Sequence, residues 1–494
     1  MFNIKIRIEL IKESKDIEKR IISILEELKT KYKSQNYEIN FKNKNLNFEI
    51  NSNLNTVTDI LVQFEKKAKE TLGKEFKTSI KEIIIEYYAI EVDLEEKPKK
   101  EITIPIANKI KFNNKKLEIE YNNLNFNQIK DQYVEKTIRL IKDKIKMQNY
   151  EGKDEFKEYV WEGKQRKTTY MGDPAVELEK KGWIKRTDAK GQYIYGREFT
   201  ALLNVFKELY IEKVFEPLNF YEMIFPKYEP WSVPIKSGHA KNIYPNAYFI
   251  FTPIKSSPEE WQDVMDLYQI TGEIPEHLIK EKTTSSGIMS YAQCPPFWPF
   301  LRNRLIGKES LPLRVYDWSG PTYRNEAGGT HGLDRVEEFH RIETLFVGTK
   351  EQVVQTWQEL KKTLIKFYDE TLDMEIKVAN VTPWWMAHAG VKTASEQADI
   401  GTFDFDAYLP YRGDRSKEWL EIQNDSSNGE KYPIAFNVKE KSREYLWSGC
   451  AGASFERVLV AFLAQKGLEP SNWPKEVKLR FEKKIKNIPE LIFY

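Results

Sequence analysis

The stretch Tyr323–Glu343 constrains the fold of this chain more than any other segment. Three glycines and an aspartate interrupt its middle, so the pattern predicts two strands joined by a loop. Before the loop, Arg324 and Glu326 lie two residues apart and are predicted to share one face of a strand.

Beyond the loop, alternation places Phe339, Arg341 and Glu343 on one face of the second strand, with His340 and Ile342 on the other. A cation, a carboxylate and an aromatic ring are thus predicted to face one space. A guanidinium binds phosphate through paired hydrogen bonds, and an aromatic ring stacks on a base. This combination predicts a nucleotide site without a glycine-rich loop. For Arg-x-Glu alone, an exposed salt-bridged hairpin is the other interpretation.

The full spacing is more specific than Arg-x-Glu. Arg324-x-Glu326, a loop and then Arg335-x3-Phe339-x3-Glu343 together resemble motif 2 of the class II aminoacyl-tRNA synthetases. The pattern is specific because it fixes five residue types over about twenty positions. The sequence contains no Walker-type loop, the other common phosphate-binding motif.

Two further segments resemble the other motifs of that family, in the family's order. Gly449–Arg457, followed by an apolar run, resembles motif 3, a glycine-rich strand end before a helix that carries Arg457. Asn219–Pro226, after an amphipathic segment from Phe199, resembles motif 1, although Asn219 stands where the family usually has glycine. The resemblance implies an α+β fold, with an antiparallel sheet flanked by helices, and a homodimer built through motif 1.

The length of 494 residues allows two or three domains. Alternating apolar patterns predict a smaller N-terminal α+β domain with an antiparallel sheet over residues 1–150, and Ile102–Ile106 is predicted as one of its strands. Residues 151–173 lose this periodicity and are predicted to be a linker or lid. The catalytic domain is then expected over 174–494, ending in a charged helical tail, Lys475–Lys486.

Charge is uneven along the chain. Residues 1–150 hold 30 Lys and Arg against 24 Asp and Glu, whereas the remainder holds 47 against 51. A basic N-terminal part suits a nucleic-acid arm, and a lysine-rich solvated surface is the alternative. No apolar run is long enough to span a bilayer, and the N-terminal segment lacks a signal-peptide core. Two cysteines in such a chain favour a reducing compartment, so the prediction is a cytoplasmic protein with no membrane or DNA partner.

Cys294, Glu343 and Cys450 each lie at the edge of a motif, but no spacing resembles Cys-x2-Cys. From the spacing alone, two buried free cysteines and a salt-bridged glutamate are the expected interpretation. In the class II family, however, motifs 2 and 3 form neighbouring strands, so Cys450 and Glu343 could face each other.

In these three residues the chain resembles the methanogen-type seryl-tRNA synthetases, a branch of the class II family whose active site holds zinc. The resemblance implies that Cys294, Glu343 and Cys450 bind one zinc per subunit and leave one tetrahedral position for the amino group of serine. His340 is an alternative ligand, but strand alternation points it away from Glu343. The N-terminal α+β domain also fits this branch, whereas ordinary seryl-tRNA synthetases carry a long helical hairpin that is not readable here.

The resemblance also assigns the nucleotide contacts. Arg324 matches the arginine that holds the α-phosphate of ATP and the amino acid carboxylate. Glu326 matches the reader of the adenine amino group, and Phe339 matches the ring that stacks on adenine. Arg335 would reach the terminal phosphates, and Arg457 would hold the γ-phosphate beside the adenine. Arg324 and Arg457 are therefore the predicted catalytic arginines.

Trp419–Asn428 lies where the family places its metal-binding strand, but it departs from the usual Glu-x-Ser-x-Ser-Asn pattern. Glu421 and Asn424 carry hard oxygen ligands suited to Mg²⁺ with ATP. Ser426 and Trp384 are predicted serine contacts together with Glu343, and Trp385 is the alternative to Trp384.

The implied function is serine–tRNA ligation: serine and ATP form seryl-adenylate, and the seryl group passes to the 3′ end of tRNA(Ser). One alternative is a class II paralogue that activates a small amino acid for a carrier protein. A second is a catalytically silent RNA-binding paralogue. Threonyl specificity fits poorly, because that family uses one cysteine and two histidines.

Overall fold

Two sheets organise the chain, and each belongs to its own compact unit, Met1–Lys153 or Asp154–Tyr494. The computed structural model describes residues 1–35, 37–44, 46–122, 124–149, 157–168, 170–241, 243–326, 329–382 and 399–489. Among these residues, no helix combines the length and the apolar character that crossing a membrane requires.

In the first unit, six described strands form an antiparallel sheet in the order β2-β3-β1-β4-β6-β5. Alternate side chains of β1 are buried, as the sequence pattern predicts for a sheet with one covered face. The strands are β1 (Phe2–Leu10), β2 (Ile39–Lys44), β3 (Asn47–Ser52), β4 (Ile80–Asp93), β5 (Lys109–Asn113) and β6 (Lys116–Tyr121).

Helices cover the buried face of this sheet, and their apolar side chains join those of the strands in one core. They are α1 (Lys15–Lys33), α2 (Thr58–Phe76), α3 (Phe126–Lys130) and α4 (Tyr133–Asn149). The predicted strand Ile102–Ile106 is wrong, because this segment is a loop in which Ile102 and Ile104 are buried. Its alternate burial imitates a strand, while Pro105 lacks the N–H that a sheet ladder needs.

In the described part of the second unit, nine strands form a sheet that is antiparallel except where β10 pairs with β15. Its order is β10-β15-β17-β22-β20-β19-β18-β7, with β16 paired to β17. The members are β7 (Lys157–Glu162), β10 (Tyr221–Glu222), β15 (Leu313–Asp317), β16 (Pro321–Tyr323), β17 (Glu338–Gly348), β18 (Ile376–Val381), β19 (Gly401–Tyr408), β20 (Trp419–Gly429) and β22 (Trp447–Ser454).

The described residues of this unit also form three smaller sheets: β8 (Ile184–Arg186) with β9 (Tyr193–Tyr195), β11 (Tyr228–Pro230) with β13 (Thr283–Met289) and β12 (Phe249–Pro253), and β14 (Leu305–Ile306) with β21 (Lys439–Glu440). The helices are α5 (Pro174–Lys180), α6 (Arg197–Tyr210), α7 (Ser232–Ser237), α8 (Gln262–Thr271), α9 (Glu276–Lys282), α10 (Trp298–Leu301), α11 (Lys350–Lys366), α12 (Lys431–Phe436), α13 (Phe455–Lys466) and α14 (Lys475–Ile485). The large core packs α6, α11 and α13 against one face of the nine-stranded sheet.

The segment predicted as a linker, 151–173, contains a strand of the nine-stranded sheet. Lys157–Glu162 pairs with β18 from Lys377 to Val381, so the linker prediction is wrong for these residues. The strand lies at the exposed edge of the sheet, and its three apolar residues, Tyr159, Val160 and Trp161, are consecutive, so the sequence shows no alternation there.

Asn219, in the segment that resembles motif 1, has φ +57°. Asparagine adopts this left-handed conformation more readily than most residues, since its short side chain bonds locally. The substitution of asparagine for the family's usual glycine is therefore compatible with the turn. The strand Tyr221–Glu222 follows at once and pairs with β15.

Candidate active site

Arg324 follows β16 directly instead of lying within it, so the prediction that Arg324 and Glu326 occupy a strand is wrong. The chain stays close to β17, because Arg324 N donates to the carbonyl of Glu337 at 2.9 Å. The Arg324 guanidinium lies over the ring of Tyr291, 4.5 Å from its centroid. Its buried Nε has no hydrogen-bond partner among the described residues, which leaves this donor oriented and unused.

Two of the predicted ATP contacts, Glu326 and Arg335, lie next to each other. Arg335 Nε lies 3.6 Å from Glu326 Oε2. The backbone at Glu326 is fixed by Glu337, which is 4% exposed and accepts from Glu326 N at 3.2 Å. Phe339 is buried in the large core, so only a small part of its ring is open to a ligand.

Arg457, near the start of α13, connects motif 2 with β20. Its Nε donates to the Asp334 carbonyl at 2.9 Å and its Nη1 donates to the Glu421 carbonyl at 3.1 Å. The same Nη1 lies 4.0 Å from the Glu421 carboxylate, which is 44% exposed. The predicted catalytic arginine of motif 3 therefore lies beside the predicted magnesium ligand.

Glu421 and Asn424 are three residues apart and would face opposite sides of a regular strand. The pairing with β19 skips Ile422, since Glu421 pairs with Asp406 and Gln423 pairs with Phe405. This extra residue is a β-bulge, and it returns Glu421 and Asn424 to the same face. Both side chains are half-buried, whereas Ile422 and Gln423 are buried.

Cys294, Glu343 and Cys450 form a compact cluster in which the sulfur and carboxylate ligand atoms lie within 4.8 Å of one another. Glu343 pairs with Gly452 and Leu345 pairs with Cys450, so Glu343 and Cys450 share a face of the sheet. Cys294 comes from the turn after β13. The cluster thus joins three segments that are distant in sequence.

Cys294 and Glu343 are buried, and burial makes both groups resist ionisation. The hydrogen bond with Cys450 and burial raise the pKa of Cys294 well above its usual value. Burial also raises the pKa of Glu343, and the neighbouring Arg341 guanidinium only partly offsets it. A bound cation would reverse this balance, because it favours thiolate and carboxylate.

Arg341 was not assigned a role from the sequence, although it shares the face of Glu343. Its Nε donates to Glu343 Oε2 at 2.5 Å, and its guanidinium lies over Gly452. A Cβ at Gly452 would lie 1.9 Å from Arg341 Nη2, so only glycine leaves room for this guanidinium. The sequence feature that could have indicated this guanidinium is Gly452, which lies two residues after Cys450.

His340 lies on the opposite face, as strand alternation predicts. Its Nδ1 is 2.9 Å from Glu456 Oε1. Burial lowers the pKa of His340, but the hydrogen bond and charge of Glu456 outweigh burial and raise it. His340 therefore belongs to an ion pair with α13 and is not a member of the cluster.

Ser426 pairs directly with Cys450 across β20 and β22, and its hydroxyl lies 2.8 Å from that of Thr402. The other predicted serine contacts, Trp384 and Trp385, lie outside the described residues. Two neighbours of the site, Tyr291 and Asn428, were also missed. A single aromatic residue or amide carries no spacing signal.

Comparison with known proteins gives matches over both units. Residues 279–466 match the family described as the tRNA synthetase class II core domain (G, H, P, S and T), and residues 1–143 match a tRNA-binding domain. The type-2 serine–tRNA ligase of Methanococcoides burtonii is 41% identical over 433 residues, covering 87% of this chain and 85% of the relative. That of Methanothrix thermoacetophila is 44% identical over 70% of this chain and 68% of the relative.

Among solved structures, M. kandleri SerRS in complex with A. aeolicus tRNASec superposes with a TM-score of 0.85 at 25% identity. The alignment covers 100% of this chain and 98% of that chain. Together with the matched core domain, it confirms the predicted α+β fold of the class II type with a further N-terminal domain.

Proposed function

We propose a mechanism from one premise: the chain belongs to the type-2 serine–tRNA ligase family. Members of this family join serine to tRNA, and ATP supplies the energy through an adenylate. The observation that carries our assignment of residues is the convergence of Cys294, Glu343 and Cys450 within 4.8 Å. A shared metal ion accounts for the meeting of two thiols and a carboxylate from three distant segments.

Arg324 is proposed to bind the α-phosphate of ATP together with the serine carboxylate. Its guanidinium is oriented by Tyr291 at 4.5 Å, and its Nε has no described partner. An arginine held in this way needs little reorganisation when charge develops on the reacting phosphate. Its role is to position the carboxylate for attack and to stabilise the transition state, not to form a covalent bond.

The remaining nucleotide contacts are proposed to come from Glu326, Arg335, Phe339 and Arg457. Glu326 would accept a hydrogen bond from the adenine amino group, with the ring against the open part of Phe339. Arg335, now 3.6 Å from Glu326, would move to the terminal phosphates. Arg457 is held by two backbone carbonyls and would bind the γ-phosphate beside the adenine.

Zinc fits the donor set of the cluster. Thiolate and carboxylate are both ligands that Zn²⁺ accepts, and three protein ligands leave one position open. When bound, zinc would supply that position to the amino group of serine, so that the amine is recognised by a directional bond. Arg341 would hold the Glu343 carboxylate, and Ser426, which pairs with Cys450, would lie beside the bound amino acid.

Magnesium bound with ATP is proposed to contact Glu421 and Asn424. The bulge at Ile422 supports this assignment, because it brings the two oxygen ligands to one face. Arg457 lies beside Glu421, so positive charge from protein and metal would neutralise the leaving pyrophosphate together.

The N-terminal domain, residues 1–150, is proposed to dock tRNA(Ser), in line with its match to a tRNA-binding domain and its excess of lysine and arginine. We also propose a homodimer through the segment around Tyr221–Glu222, where the family's motif 1 forms the interface. Both cysteines are unpaired, and the proposed zinc site needs them reduced, which supports a cytoplasmic protein.

Pyrophosphate exchange across a panel of amino acids tests the proposed specificity. Serine should support exchange with ATP far better than threonine, alanine, glycine or cysteine. Charging of tRNA(Ser) by the same preparation should then follow. Exchange stimulated best by another amino acid would refute the proposed serine site, and exchange without charging would favour a carrier-protein substrate.

A further inference from the structure

Asn428 lies in a second β-bulge of strand β20, next to the Cys294–Glu343–Cys450 cluster. Ser427 pairs with Gly449 and Gly429 pairs with Ser448, so Asn428 has no residue opposite it on β22. Gly429 fixes the bulge with φ +58°, a conformation that favours glycine. The Ser448 hydroxyl closes it by donating to the Gly429 carbonyl at 3.3 Å.

In this bulge the side-chain amide of Asn428 points toward the sulfur of Cys450. Asn428 Nδ2 lies 3.3 Å from Cys450 Sγ, and the residue is only 4% exposed. A buried amide N–H that points at a sulfur is a weak contact when the sulfur is a thiol. It becomes much stronger when the sulfur is a thiolate, because the acceptor then carries a full charge.

Asn428 therefore resembles Arg341 in its position relative to the cluster. Arg341 donates to Glu343 at 2.5 Å, and Asn428 donates to Cys450 at 3.3 Å. Glu343 thus has a side-chain donor from its own strand, and Cys450 has one from the neighbouring strand. Such outer contacts orient a metal ligand and stabilise its charged form.

We propose that Asn428 is a positioning residue of the metal centre: its amide N–H donates to the Cys450 sulfur and holds the thiolate in place for the metal. The inference rests on the proposed zinc site and goes beyond it, because no catalytic or substrate contact is required of Asn428. Its effect acts through Cys450 and should be visible in metal binding before any reaction occurs.

Zinc affinity, measured by competition with a chelator of known affinity, is the first test. Asn428→Leu keeps the size of the side chain and removes the donor, and it should weaken zinc binding about 10–100-fold. Asn428→Asp is nearly isosteric, and its ionised carboxylate cannot donate to the Cys450 sulfur, so this variant should lose the same contact. Ser427→Ala is the matched control, because Ser427 is also buried but bonds the Asp399 carbonyl, and its zinc affinity should equal that of the wild type.

Cobalt substitution separates this role from a structural one. A hydrogen bond to the thiolate lowers the energy of the sulfur lone pair, so its loss should shift the sulfur-to-cobalt charge-transfer band to longer wavelength in Asn428→Leu. The melting temperatures of wild type and Asn428→Leu are also compared, both without metal and with zinc bound. A melting temperature lowered equally with and without metal would identify a packing role and overturn the inference.

The outcomes distinguish the two proposals. Wild-type zinc affinity and an unchanged cobalt band in both Asn428 variants would overturn the role of Asn428 and leave the zinc site standing. A wild-type protein that binds no zinc would refute the zinc site, and the role of Asn428 with it. Weaker zinc binding with a shifted band, at unchanged metal-free stability, is the result we expect.

Discussion

Replacing Gly452 with alanine should disturb the metal cluster through one steric contact. A Cβ at this position would lie 1.9 Å from Arg341 Nη2 and 2.3 Å from its Cζ. The Arg341 side chain is 14% exposed and Glu343 is 1% exposed, so the guanidinium has little room to retreat while keeping its hydrogen bond. We therefore expect Gly452→Ala to separate Arg341 from Glu343.

The magnitude follows from leaving a buried carboxylate without its cation. Breaking a buried ion pair costs about 3–5 kcal/mol in the free energy of unfolding. Urea unfolding of the metal-free protein is the appropriate assay, since bound zinc would compensate the charge of Glu343. Gly73→Ala is the control for the substitution itself: a Cβ at Gly73, in α2, meets no atom within 4 Å, so this variant should gain about 0.5–1 kcal/mol.

A double-mutant cycle tests the cause. In an Arg341→Ala background the clash is absent, so adding Gly452→Ala should cost less than about 1 kcal/mol, and the two changes should be strongly non-additive. If Gly452→Ala costs the same with and without Arg341, the steric explanation is wrong.

Three further predictions follow from other parts of the chain. Arg324→Ala should abolish seryl-adenylate formation with the fold intact; wild-type pyrophosphate exchange would refute its role. A chain that begins at Asp154 should still form seryl-adenylate but charge tRNA poorly; unchanged charging at moderate salt would show that residues 1–150 do not dock tRNA. Burial raises the pKa of Glu229 from 4.5 to about 8, so the folded protein keeps a proton that the unfolded carboxyl loses, and stability falls as pH rises from 4.5 to 8. Glu229→Gln should remove that decline and be more stable than wild type at pH 8 by about 4 kcal/mol; unfolding free energies from urea titrations that change with pH in the same way for both proteins would contradict this.

Strand alternation predicted part of the site correctly. It placed Arg341 and Glu343 on one face of β17 and His340 on the other, and the structure has Arg341 bonded to Glu343 and His340 bonded to Glu456. Alternation succeeds here because β17 is regular, with an unbroken register against β22 from Arg341 to Gly348.

The same rule fails where the register slips. Neither bulge of β20, at Ile422 or at Asn428, can be read from its own sequence, because a bulge is defined by the partner strand that it skips. Consequently the shared face of Glu421 and Asn424, and the contact of Asn428 with Cys450, emerge only from the sheet.

Edges and loops were the other source of error. The edge strand Lys157–Glu162 had no alternating apolar pattern, and the loop Ile102–Ile106 had a false one. In both cases the spacing of apolar residues reflects which side chains are buried. Burial in turn depends on which other segments of the chain pack against the strand or loop. The glycine at 452 is similar, since its necessity follows from a guanidinium on a neighbouring strand.

Serine is proposed to be activated at a zinc centre formed by Cys294, Glu343 and Cys450. Metal analysis by mass spectrometry, combined with serine-dependent pyrophosphate exchange and ATP titration on the same samples, tests it most directly. Wild type should carry about one zinc per chain. Cys294→Ser and Cys450→Ser should each lose both zinc and serine activation while ATP binding largely survives, because the proposed ATP contacts come from other residues. A metal-free wild type with full serine-dependent exchange would contradict the claim.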